Sequence, residues 1–216
     1  MKTLSASQRR LAAWAGIIAP ALFVAVFTIE GWLRPGYNPI TTYVSALSLG
    51  ARGWIQITNF IVLGLLMLVF TRGVATEFQS GKASRWGLIC LTLIALLFIV
   101  SGPFVMDPMG TPLAQATIHG TIHGLAGGII FILMPVSCFI YLRRFRQDPE
   151  WRYFQWGTLL LGVIVAAAVL LLTFTTKLPS LQSMFVDWLG LVQRFIIIPF
   201  MIWLFIFAVG IQRRTG

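Results

Sequence analysis

The residues of this sequence that could do chemistry are few and lie in short blocks. "DPMGTPLAQATIHGTIHG", Asp107 to Gly124, holds the only two histidines, His119 and His123. Four residues apart on a helix, two imidazoles share one face about 6 Å apart along the axis. With Asp107 as a third donor, such a pair would hold one metal ion, zinc being the expected choice. The pair lacks the internal glutamate of the H-E-x-x-H metalloprotease motif. The alternatives are that both rings hydrogen-bond to carboxylates and backbone in a packed bundle, or that they relay protons. A second block, "DWLGLVQRFIIIPF", supplies Asp187, Gln193 and Arg194. A guanidinium beside "FIIIP" calls for a counter-charge. Asp187 shares its face two turns away, and Asp107 and Glu30 are the other candidates. Either a buried ion pair fixes the packing there, or Arg194 receives an anionic ligand.

The elements that must position these residues are membrane helices. Of 216 residues, 58% are hydrophobic and only 10% charged, too little charge to cover a soluble surface of this size. Six apolar segments, about 11–33, 54–71, 86–106, 119–142, 156–174 and 188–211, reach the roughly 20 residues that cross a bilayer core. Backbone amides cannot go unpaired in lipid, so the expected fold is all-α. It is a single domain, residues 1–216, built as an integral bundle of six transmembrane helices. The first segment is read as a retained anchor, because "TIEGWLRPG" offers no small-residue cleavage site. Cys90 and Cys138 sit in apolar runs and read as buried thiols.

Charge orients the bundle. Lys2, Arg9, Arg10, Arg72, Lys82, Arg85, Arg143, Arg144, Arg146, Arg152, Arg213 and Arg214 make up twelve of the sixteen basic residues, and all fall on one side. The positive-inside rule makes that side, with both termini, cytoplasmic. The implied location is the cell (plasma or inner) membrane, with multiple passes. Arginines facing anionic lipid account for the net charge of +10 without nucleic acid, and membrane lipids are the expected partners.

The polar residues within the spans then collect at the extracytoplasmic ends. Glu30 closes the first span and Asn59 opens the second. His119 and His123 open the fourth, and Asp187, Gln193 and Arg194 open the sixth. Groups of this kind at membrane depth face a cavity or each other, so they imply a polar vestibule open to the outside. Thr111 and Pro112 predict an early start for the fourth helix. Gly120, Gly124 and Gly128 form a small-xxx-small stripe for close approach of a neighbouring helix. In the first outer loop, Ile40, Tyr43, Val44 and Leu47 fall opposite Thr41, Thr42, Ser45 and Ser48. That pattern predicts a short amphipathic helix on the surface, as a connector or a lid.

"PGYNPITTYVSALSLGARGWIQITNF", "GPFVMDP" with "HGTIHGLAG", and "GLVQR" together resemble the prokaryotic six-helix membrane proteins of domain-of-unknown-function family 998. The resemblance spans nearly the whole chain. It implies the six-helix fold and places Ser45, Asp107, His119, His123, Gln193 and Arg194 at motif positions. Many members carry an acidic residue after the motif serine, where this chain has Ala46.

Three functions fit these residues. The vestibule binds a small anionic ligand or lipid headgroup through Glu30, Asn59, Asp107, His119, His123, Asp187, Gln193 and Arg194. Alternatively, a metal-bound water at His119, His123 and Asp107 hydrolyses a lipid at the outer leaflet. In the third, the protein is a structural accessory subunit. The sequence favours binding over catalysis, because no activated nucleophile is visible. It also has no duplicated halves of the kind common in secondary transporters.

Overall fold

The structure, a computed structural model, describes residues 4–79 and 81–215. Lys2, counted above among the basic residues, lies outside them. Six helices are long and apolar enough to cross a membrane. They are α1 (Ala6–Leu33), α2 (Gly53–Glu77), α3 (Lys82–Ser101), α4 (Ile118–Gln147), α5 (Gln155–Lys177) and α7 (Leu189–Gln212). The short α6 (Pro179–Phe185), which periodicity did not predict, lies between the last two. The fold is all-α, with no strand among the described residues. An even number of spans puts both termini on one face, called here the near face. The other is the far face.

Local chemistry sets the helix ends. Ser5 and Gln8 form a reciprocal capping box at the start of α1. α3 stops at Ser101, earlier than apolar length alone predicts. Gly102 and Pro103 follow, and proline has no N–H with which to continue the helical hydrogen bonds. α4 starts at Ile118, later than Thr111 and Pro112 predict, and Leu113–Gln115 form a separate 3-10 turn. Thr117 wins the cap because its Oγ1 accepts from Gly120 N at 2.9 Å while Asp107 braces it from outside.

Each span packs on its neighbours in the chain, and α7 closes the ring against α1. α7 is the most enclosed span, 61% buried over its apolar window, and α5 the least, at 22%. Near the near face the ring is filled by aromatics. Tyr141 and Phe207 lie 4.9 Å apart between centroids, and Phe145 stacks on Trp151 at 5.1 Å. Pairs of this kind contribute about 0.5–1.5 kcal/mol beyond their buried area. Glu77 seals this end by accepting from Trp151 Nε1 and pairing with Arg214. Cys90 and Cys138 are buried free thiols.

Glycines allow the close helix crossings, but not the glycines of the α4 stripe. Gly64 of α2 lies against the Ala95 carbonyl of α3, and Gly73 lies so that a Cβ there would come 3.0 Å from that of Ala12. Gly124, Gly127 and Gly128 have no neighbouring atom within 4 Å of the place a Cβ would occupy. The predicted helix contact along that stripe is therefore absent. The stripe borders open volume instead.

Candidate functional site

The far face is organised by the first loop and the start of α7. Asn38 Oδ1 accepts from Ile40 N at 2.9 Å, and its carbonyl accepts from Thr42 N at 2.8 Å, which turns the chain inward. A single 3-10 turn, Val44–Ser48, follows. Ser45 and Ser48 are buried along with Val44 and Leu47, so this segment does not lie on the surface with a polar face outward. Ser48 meets its own hydroxyl requirement by donating to Ser45 O at 2.7 Å.

α7 grips this loop. Leu191 N donates to Ile40 O at 2.8 Å, and Val44 N donates to Gln193 Oε1 at 2.6 Å. Arg194 Nη1 donates to the carbonyls of Pro39, Thr42 and Gly190 at 2.6, 3.1 and 3.0 Å. Its Nη2 donates to the Tyr37 hydroxyl at 2.5 Å, and the guanidinium lies 5.7 Å from the Tyr37 ring centre. The counter-charge expected from Asp187, Asp107 or Glu30 is not its partner. Loop carbonyl dipoles and a π-face take that place. Gly190 is required here, since a Cβ would run into the backbone of Pro39 and Thr42. Burial holds the Tyr37 and Tyr43 hydroxyls above the ordinary phenol range, so both stay neutral.

Glu30, only 3% exposed, serves the base of the same loop. Its carboxylate pairs with Arg34 at 2.9 Å and with Arg52 at 2.6 Å, joining the end of α1 to the start of α2. Asp187 is exposed in the turn Val186–Trp188. Asn59 is buried between helices, where its Nδ2 donates to Phe23 O and Gln56 Oε1.

The histidines separate. Asp107 accepts from Thr117 N at 2.9 Å and from Thr117 Oγ1 at 2.8 Å, so its carboxylate sits on the N-terminus of α4, where the helix dipole favours it. Gly120 leaves room for that carboxylate. His123 is buried, with Nδ1 2.8 Å from the Phe104 carbonyl. A carbonyl only accepts, so Nδ1 carries the proton in this contact. His119, one turn earlier, is exposed and rests edge-on against Phe104 at 5.4 Å. No group of three or more His, Cys, Asp or Glu gathers in metal-holding reach among the described residues.

Beneath the loop lies a cavity of ≈ 700 Å³. Asp107, His123 and Gln193 of the predicted site line it, and Ser45, Lys177 and Gly124 join them. Glu30, Asn59, His119, Asp187 and Arg194 do not. Its wall exists because α4 and α5 diverge. Toward the near face a Cβ at Gly162 would come 3.1 Å from that of Cys138, while toward the far face a Cβ at Gly124 or Gly128 would meet nothing within 4 Å. Lys177 is one of the four basic residues outside the twelve of the near side, and nothing in "TFTTKLPS" marks it as a wall residue.

The DUF998 family model, "Protein of unknown function", matches residues 17–210. The chain belongs to the DUF998 family. The three sequence blocks of the DUF998 resemblance meet at this one face: the first loop, the start of α4 with its preceding loop, and the start of α7. No curated protein and no solved structure matches the chain.

Proposed function

We propose that this DUF998 protein is a multi-pass protein of the cell membrane with both termini cytoplasmic. In this reading the far-face cavity opens outward and binds a small anionic amphiphile or the headgroup end of a lipid. The observation that carries the reading is the wedge between α4 and α5, a cavity of ≈ 700 Å³ with glycines on one wall and polar groups at its outer end. The chain of an amphiphile lies along Gly124, Gly127 and Gly128, where nothing protein-borne fills the space. Its headgroup meets Lys177 and the hydroxyls of Ser45 and Thr173, beside Asp107 and His123. Arg194, outside the cavity, and Gln193, on its wall, hold the first loop over it. The side with twelve of sixteen basic residues supports the orientation.

The test is thermal unfolding in neutral detergent with dodecyl phosphate titrated in, against inorganic phosphate as a chain-free control. Saturable stabilisation is expected for the wild type and for Arg213→Gln, an exposed position on the near side. It should weaken in Lys177→Gln and vanish in Gly124→Leu/Gly128→Leu, which fills the wedge. A wild type that gains no stability, or a filled variant that keeps the full shift, defeats the proposal.

A further inference from the structure

A second groove lies at the other end of the molecule, between the start of α3 and the end of α4. It has a volume of ≈ 750 Å³ and its walls include Trp86, Val136, Phe139 and Ile140, with Arg143 and Arg144 at its rim. Trp86 is 58% exposed and Val136 and Phe139 are each 39% exposed, on helices apolar enough to sit in lipid. An apolar groove on the outside of a membrane bundle borders acyl chains, not water. Tryptophan and arginine at its end mark the level where chains give way to headgroups.

The charge at that level is not balanced. Arg144 pairs with Asp148 at 3.2 Å and lies over the Phe78 ring, yet its buried Nε has no hydrogen-bond partner. Arg143 is exposed and forms none of the ion pairs found among the described residues. Two guanidiniums against one carboxylate leave a positive rim above an apolar slot. The complementary molecule has one anionic oxygen cluster joined to hydrocarbon, and guanidinium forks suit a phosphate.

We infer that this groove binds one acidic phospholipid, its phosphate at Arg143 and Arg144 and an acyl chain along Val136 and Phe139. The site is separate from the far-face cavity and stands whether or not that cavity binds anything.

The experiment is native mass spectrometry of the purified full chain with phosphatidylglycerol and phosphatidylcholine of identical chains. Inorganic phosphate serves as a competitor. One phosphatidylglycerol should bind the wild type about fivefold or more tighter than phosphatidylcholine, the effect of roughly one basic residue at a membrane surface. Arg143→Gln should erase most of that preference. Arg146→Gln removes the same charge from an exposed site of the same helix outside the groove, and should change little. Val136→Trp, which fills the slot and keeps both arginines, should lower binding of phosphatidylglycerol. Equal affinity for the two lipids overturns the inference. So does equal loss in Arg143→Gln and Arg146→Gln, which would mean diffuse attraction. Unchanged binding in Val136→Trp, or displacement of the lipid by inorganic phosphate, overturns it too.

Discussion

Arg194 is held at the far face without a carboxylate partner. Three carbonyls and a tyrosine hydroxyl receive its donors, and two of those carbonyls belong to a loop more than 150 residues away in sequence. Removing the side chain leaves these acceptors unpaired. Arg194→Ala should therefore cost on the order of 3 kcal/mol of stability, while Arg213→Ala, at an exposed position near the C-terminus, should be close to neutral. Unfolding of the two variants in the same detergent measures the difference. Equal stability would mean the loop does not depend on Arg194. Arg194→Lys should recover only part, since one ammonium cannot span the fork that reaches Pro39, Gly190 and Tyr37 together. Sequence marked Arg194 as constrained but named the wrong kind of partner. A carboxylate is a letter in the sequence, whereas a backbone carbonyl aimed by a turn is not. Asp107 was legible as important for the same reason, and its actual task as a brace for Thr117 depended on where α4 begins.

At the level of elements, the six spans were plain from apolar length, and their ends were not. Length cannot see that Gly102-Pro103 halts α3, or that Thr117 displaces Thr111 as the start of α4. The glycine stripe is a sharper case. Regular spacing pointed to Gly120, Gly124 and Gly128, yet close approach occurs at Gly64 and Gly73, whose nine-residue separation announces nothing. Gly64→Ala forces a methyl against the Ala95 carbonyl and should lose about 1–3 kcal/mol. Gly124→Ala meets open space and should be neutral or gain up to about 1 kcal/mol through helix propensity. Melting temperatures of the pair test the assignment. A reversal of their order would mean that helices α2 and α3 pack less closely than described.

Across the whole molecule, the two ends are built differently. Ion pairs tie both ends, but the near half is filled by aromatics while the far half holds a cavity beneath a clasped loop. The proposed orientation turns the hollow end outward. Single cysteines added to a background lacking Cys90 and Cys138 would report it in intact cells. Thr111→Cys, in the loop before α4, should react with an impermeant maleimide at once. Glu150→Cys, exposed in the loop before α5, should react only after lysis. Labelling in the opposite order would invert the protein and put the cavity on the cytoplasmic side.

The clasp between α7 and the first loop also has a meaning in time. A chain is synthesised from its N-terminus, so the loop that carries Val44 is made long before Gln193, 149 residues later. Until the last span is inserted, Val44 N–H and the Pro39 and Thr42 carbonyls lack the partners that hold them in the finished protein. The roof of the far face thus records whether synthesis has run to completion. A chain that stops before α7 keeps five of its six membrane spans but presents a first loop without the hydrogen bonds that Leu191, Gln193 and Arg194 supply.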